Sequence, residues 1–204
     1  GDSLADGLWA SLYRSYVRVR GVKVHRETLN SSGFTAYNWQ AKLQGILRKY
    51  RMIDAAVVEM GANDRQRLIA GRGKYPRFGT EEWQRIYQER VETFIKTLTA
   101  KNIPVFWVGL PIMRKENVRN AAAMMNLIFK DAAKAGKATF ISSWRITANE
   151  AGAYVDFVRD DKGRRRRFRH HDGIHSSDIG YDRVGDHVIK IMRKALPDLP
   201  APEN

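Results

Sequence analysis

Ile53-Asp54-Ala55-Ala56-Val57-Val58-Glu59-Met60 is an apolar, β-branched run of strand length, and Gly61-Ala62-Asn63-Asp64 follows it directly. Such a run, bounded by turn residues, reads as a buried strand of a parallel sheet. Open α/β sheets take their ligands at the carboxyl ends of their strands, which is where Asn63 falls. An Asn amide there can donate a hydrogen bond to an oxyanion without adding charge. A helix N-cap or an Asx-turn is the plainer use of the same residue.

Two more runs have the same character. Ile103-Pro104-Val105-Phe106-Trp107-Val108-Gly109-Leu110 ends at Pro111, and Ala138-Thr139-Phe140-Ile141-Ser142-Ser143-Trp144 forms a third strand. Helical spacing fills the intervals. Thr80 is a candidate N-cap with Glu81 and Glu82 behind it, and Ile86, Tyr87, Val91, Phe94, Ile95 and Leu98 repeat at helical period. Asn117 to Ala135 is read as a helix closed by Gly136, with Met124 and Met125 as core filling, and Ser177 to Leu196 as the last helix. Earlier in the chain, Ala5 to Val17 and Trp39 to Tyr50 are expected helices and Val22 to Thr28 a short strand. Arg65 to Gly79, with three glycines and a proline, suits an excursion over the site. Tyr154 to Val158 is expected as a hairpin strand. Strand–helix alternation of this kind predicts an α/β fold, a mainly parallel sheet covered on both faces in three α/β/α layers. Residues 1–196 are expected to form one domain and 197–204 a frayed tail.

The chain has 204 residues, 43% of them hydrophobic, enough for one sizeable core. It has no apolar stretch long enough to span a bilayer. Zero cysteines exclude disulfides, thiolate metal sites and a cysteine nucleophile, and permit an oxidising compartment. A net charge of +14 and a pI near 10.2 favour anionic partners such as polysaccharide, lipid headgroups or nucleic acid. No recognition motif supports nucleic acid, which is not expected as a partner. Lys162-Gly163-Arg164-Arg165-Arg166-Arg167-Phe168-Arg169-His170-His171 concentrates the charge. It reads either as a solvated loop or hairpin edge, or as a clamp in which Arg164, Arg165, Arg166, Arg167 and Arg169 bind an acidic substrate. His170, His171 and His175 lack a helical pair and a completing acidic or thiol set, so neither metal nor cofactor is expected. His187, on an apolar helix face, is read as a packed or surface histidine.

Gly1-Asp2-Ser3-Leu4 and Asp172-Gly173-Ile174-His175 supply a candidate serine nucleophile, a base and the acid that orients the base. A serine hydroxyl needs an imidazole to take its proton and a third group to fix the imidazole tautomer. Ser31-Ser32-Gly33-Phe34 adds a turn glycine whose N–H could face an oxyanion, although an ordinary turn needs no more than that. In that order, Gly-Asp-Ser-Leu, the turn glycine, Gly-x-Asn-Asp and Asp-x-x-His resemble the SGNH hydrolases, also called the GDSL esterase/lipase family. More narrowly, Ser32-Gly33 with Trp39-Gln40-Ala41-Lys42-Leu43, Gly61 to Gln66, Glu82-Trp83, Trp107 to Pro111 and Asp172 to His175 are similar to the bacterial subgroup DUF459. The resemblance runs from Gly1 to about Leu196.

The resemblance implies an SGNH/flavodoxin-like sheet and a division of labour. Ser3 matches the nucleophile, His175 the base and Asp172 its partner; the Ser3 and Gly33 N–H groups and the Asn63 side chain match the oxyanion hole. Asp64 matches no catalytic role and is read as shaping the turn, and Asp2 as bracing it. In the family the serine follows a central strand, whereas only Gly1 and Asp2 precede Ser3, so that first strand is missing from the chain as given and upstream sequence is expected. The implied activity is a serine esterase working through an acyl-enzyme, on an acyl ester carried by an anionic glycan or lipid, with an O-acetyl group on a cell-envelope glycan favoured. An O-acetyltransferase, a lysophospholipase-type esterase and a catalytically quiet glycan-binding module stay open. The resemblance also implies a bacterial periplasmic or exported protein.

Overall fold

Val105–Val108 (β2) is buried at every position and forms the centre of a parallel sheet in the computed structural model, which describes residues 1–203. Ala56–Val58 (β1) pairs on one side, Val57 opposite Phe106, and Thr139–Ile141 (β3) on the other, Trp107 opposite Phe140. Side chains alternate across a strand, so β2 feeds two cores. Val105 and Trp107 enter one, Phe106 and Val108 the other.

Helices Ser3–Tyr16 (α1) and Asp178–Ala195 (α5) cover the Phe106 face. Trp39–Lys49 (α2), Glu81–Thr99 (α3) and Glu116–Ala135 (α4) cover the Trp107 face. The result is three layers, α/β/α, as the alternation of elements predicts. The aromatic content sits on the α3/α4 side, where Trp83 stacks on Tyr87 and Trp107 lies 5.2 Å from Phe129, centroid to centroid. On the other side α1 and α5 approach closely, and a Cβ at Gly185 would run into the Ser11 hydroxyl.

The ladders are shorter than the apolar runs because the chain turns out of the sheet at the carboxyl ends, where loops gather. Val22 to Thr28 is a correction: it forms no strand among the described residues. Its backbone is held through Gly1, whose N–H donates to Glu27 O while its carbonyl accepts from Leu29 N–H, and Trp9 Nε1 donates to Val24 O. The segment is therefore laid along the edge of α1. Residues after α5 also lie on α1: Tyr16 donates to Pro200 O, Glu203 N–H donates to Ser15 O, and Leu199 packs into the α1/α5 core. Fraying of this stretch is thus not what the structure shows.

The excursion from Arg65 to Gly79 contains a tight hairpin, with Leu68 N–H bonded to Pro76 O and Gly71 bridged to Lys74. Leu68 plugs it into the core. The basic run becomes a second hairpin, Phe157–Arg159 (β4) antiparallel to Arg165–Arg167 (β5).

Candidate active site

Asp2 caps α1. One carboxylate oxygen accepts from Leu4 N–H at 2.9 Å, and the other from Gly61 and Ala62 N–H at 2.9 and 3.2 Å. The residue is completely buried, and burial pushes its carboxyl up despite these donors. The same side chain thus starts the helix and ties it to the loop that leaves β1. Ser3 is consequently the first residue of α1, at the positive end of the helix dipole.

Ser3 Oγ lies 2.7 Å from His175 Nε2, and His175 Nδ1 lies 2.6 Å from Asp172 Oδ2. An ionised carboxylate can only accept, so Nδ1 carries the proton and Nε2 presents its lone pair to the serine. The other Asp172 oxygen accepts from Ile174 and His175 N–H at 2.8 and 3.0 Å, which fixes the loop. Burial alone would raise the Asp172 carboxyl; the His175 ring and the two N–H groups outweigh it and hold the group at about 2. Its folded value is depressed, so its contribution is complete above the ordinary carboxylate value and is lost only as pH falls toward 2.

Arg169 supports this loop from beneath. Its guanidinium donates to Ile112 O at 2.8 Å, Ile174 O at 2.6 Å and His175 O at 3.2 Å. The side chain is fully buried, and that removes Arg169 from the expected set of substrate-binding arginines. Its place beside a buried Phe168 marks the point where the hairpin re-enters the core; charge alone gave no sign of it. Replacing Arg169 by methionine, which keeps its bulk and loses its donors, is expected to strand three carbonyls. The cost is about 3–5 kcal/mol by urea unfolding. Arg169→Lys should recover part of it.

In the loop that Asp2 ties to α1, Asn63 Nδ2 donates to Ser32 O at 3.0 Å, which leaves its second amide hydrogen for a ligand. The N–H groups of Ser3 and Gly33 have no partner among the described residues. Asp64, completely buried, accepts from Phe34 N–H, Thr35 N–H, Thr35 Oγ1 and Tyr87 Oη at 2.6 to 3.0 Å. Tyr87 reads from sequence as plain helix core. A Cβ on Gly33 would run into the Asp64 carboxylate, so only glycine lets the two loops meet. Glu59, inside the apolar run, is also buried, and burial with the nearby Asp2 charge pushes its carboxyl well up.

Arg164 and Arg166 reach Asp160, while Arg165 and Arg167 lie over the Phe157 ring. These four are exposed on the hairpin edge, and Arg167 extends to within 3.5 Å of His171 Nδ1. Among the described residues there is no group of three or more side chains arranged to hold a metal. No helix among them is long and apolar enough to cross a membrane.

The fold recurs among solved esterase structures. Similar ones include the aryl esterase of M. smegmatis, 15% identical with a TM-score of 0.59 over 93% of this chain and 84% of that one. The carbohydrate acetylesterase Est24 of Sinorhizobium meliloti is 16% identical, TM-score 0.59, covering 93% and 83%. Psychrotrophic esterase EstA of Pseudoalteromonas sp. is 15% identical, TM-score 0.59, covering 94% and 86%. No curated protein matches the chain. The three-layer α/β/α arrangement is the fold that these esterase structures share. Within it, the chain belongs to the family described as protein of unknown function (DUF459), whose model matches residues 1–191.

Proposed function

We propose that the protein is a serine esterase that cleaves acyl esters through an acyl-enzyme, with residues 1–196 as its catalytic domain. The observation that carries this reading is the continuous relay from Ser3 Oγ to His175 at 2.7 Å and from His175 to Asp172 at 2.6 Å. Ser3 Oγ attacks the ester carbonyl carbon as His175 Nε2 takes its proton. The negative charge moves onto the carbonyl oxygen, where the Ser3 and Gly33 N–H groups and the Asn63 amide receive it. Asp172 stabilises the imidazolium. Collapse of the tetrahedral intermediate breaks the bond to the alcohol oxygen, and His175 returns its proton to that oxygen. Water, deprotonated by the same imidazole, then releases the acid and restores the serine.

The acyl group in this reading is O-acetyl on a cell-envelope glycan, and the protein works in the periplasm or outside the cell. The carbohydrate acetylesterase with the same fold and the strongly basic surface support it.

A serine-directed fluorophosphonate should add once, on Ser3. Absence of that adduct would overturn the esterase reading. Asn63→Ala removes one oxyanion donor and should lower kcat for p-nitrophenyl acetate by about 10²- to 10³-fold with little change in KM. A shift confined to KM would remove Asn63 from the oxyanion hole.

A further inference from the structure

The stretch directly after Asp64 is also one-sided in charge. Arg65, Arg67, Arg72, Lys74 and Arg77 occur within 65–79 with no acidic residue among them. All five are exposed, and none forms an ion pair among the described residues. The hairpin that carries their middle members is anchored firmly. Ile69 N–H donates to Thr35 O, and the Arg90 guanidinium donates to both Phe34 O and Ile69 O. The basic finger is therefore fixed to the same loop that presents Gly33 N–H.

The β4–β5 hairpin leads into the loop that carries His175. It runs through Phe168 and Arg169 into the loop that holds Asp172 and His175. Arg165 and Arg167 lie side by side on Phe157, about 7 Å apart along one face of a strand. Neither has an acidic partner among the described residues. One arm is thus fastened to the loop of Gly33, and the other runs into the loop of His175, whose Nε2 lies 2.7 Å from Ser3 Oγ.

Unpaired like charges repel one another, and a folded chain that holds two such groups around one site presents an anion-binding track. Guanidinium forks grip carboxylate, sulfate or phosphate groups in a bidentate manner. Two arms flanking a nucleophile suit a ligand longer than either. We propose that the 65–77 finger and the β4–β5 hairpin form a cradle for a linear polyanion that crosses Ser3, so that the ester to be cleaved sits on a chain of repeating negative charges. The assignment of Ser3 as nucleophile rests on the esterase reading; the cradle itself does not. A polymer is favoured over an anionic membrane because the exposed large apolar residues on the arms are only Ile69 and Tyr75, whereas interfacial binding needs a broad apolar face.

The test compares acetate release from chemically O-acetylated polygalacturonate and from O-acetylated dextran, alongside hydrolysis of p-nitrophenyl acetate. Binding of unesterified polygalacturonate is followed at low and high salt. The cradle predicts a kcat/KM about tenfold or more higher on the charged polymer at low salt, and loss of most of that preference in an Arg72→Glu, Lys74→Glu double variant and in high salt. Equal kcat/KM on the two polymers, or a preference untouched by the double variant, overturns it. So does co-sedimentation with phosphatidylglycerol vesicles without binding of polygalacturonate. Salt-sensitive polymer binding without hydrolysis of any ester keeps the cradle and sinks the esterase reading instead.

Discussion

Ser3→Ala should reduce p-nitrophenyl acetate hydrolysis by roughly 10⁴- to 10⁶-fold and leave the unfolding midpoint nearly unchanged. The size follows from what the substitution removes. In the proposed mechanism Ser3 Oγ is the atom that attacks, and its partner in the structure is His175 Nε2. The α1 N-cap belongs to Asp2, so alanine at position 3 keeps the helix and its dipole. His175→Ala should fall to a similar floor, and the double variant should be little worse than either, because a nucleophile without its base is already spent. Initial rates with purified variants settle this. Retention of a tenth of the wild-type rate by Ser3→Ala would assign the nucleophile elsewhere.

Asp64→Ala is expected to match the Arg169 to methionine change in its effect on stability, about 3–5 kcal/mol in urea unfolding, out of a total that for a domain of this size is about 5–15 kcal/mol. Four donors converge on this carboxylate from two separate places: the Phe34 and Thr35 N–H groups and the Thr35 hydroxyl on one loop, and the Tyr87 phenol on α3. Alanine leaves all four without an acceptor in a buried site. The loop that carries Gly33 loses its anchor at the same time, so ester hydrolysis should fall in enzyme that is still folded. Tyr87→Phe separates the two effects. It removes one donor and should cost about 1 kcal/mol while sparing the rate. A stability loss under 1 kcal/mol for Asp64→Ala would show that the loop is held by other contacts.

Much of this site was legible because its residues come in short local patterns: a serine after Gly-Asp, an Asn at a strand end, an Asp three residues before a His. Patterns of this length need little knowledge of tertiary structure. The layered fold was legible for the same reason, since β2 is apolar throughout and α3 repeats at helical period. What sequence left hidden depends on pairing at long range. Arg169 stands in a run of six cations, and only the path of the chain decides that it is the one turned inward. Val22 to Thr28 alternates like a strand, yet a ladder needs a neighbour, and the structure holds this segment by Gly1 and Trp9 instead. The basic run carried both readings, hairpin edge and clamp. The hairpin is what formed, and the clamp survives only as part of the proposed cradle.

The Asp2 carboxylate spans residues 4, 61 and 62 with two oxygens, while His175 arrives from 172 positions beyond Ser3. No local segment of the chain can position the nucleophile by itself. Closing loops of that span is slow compared with forming helices, so the relay is expected among the last contacts made when the chain folds. On the esterase reading, turnover is then a clock for refolding: it starts when the segments that carry Ser3 and His175 have met, and a helix signal that recovers earlier reports an assembly that is ordered and still inert.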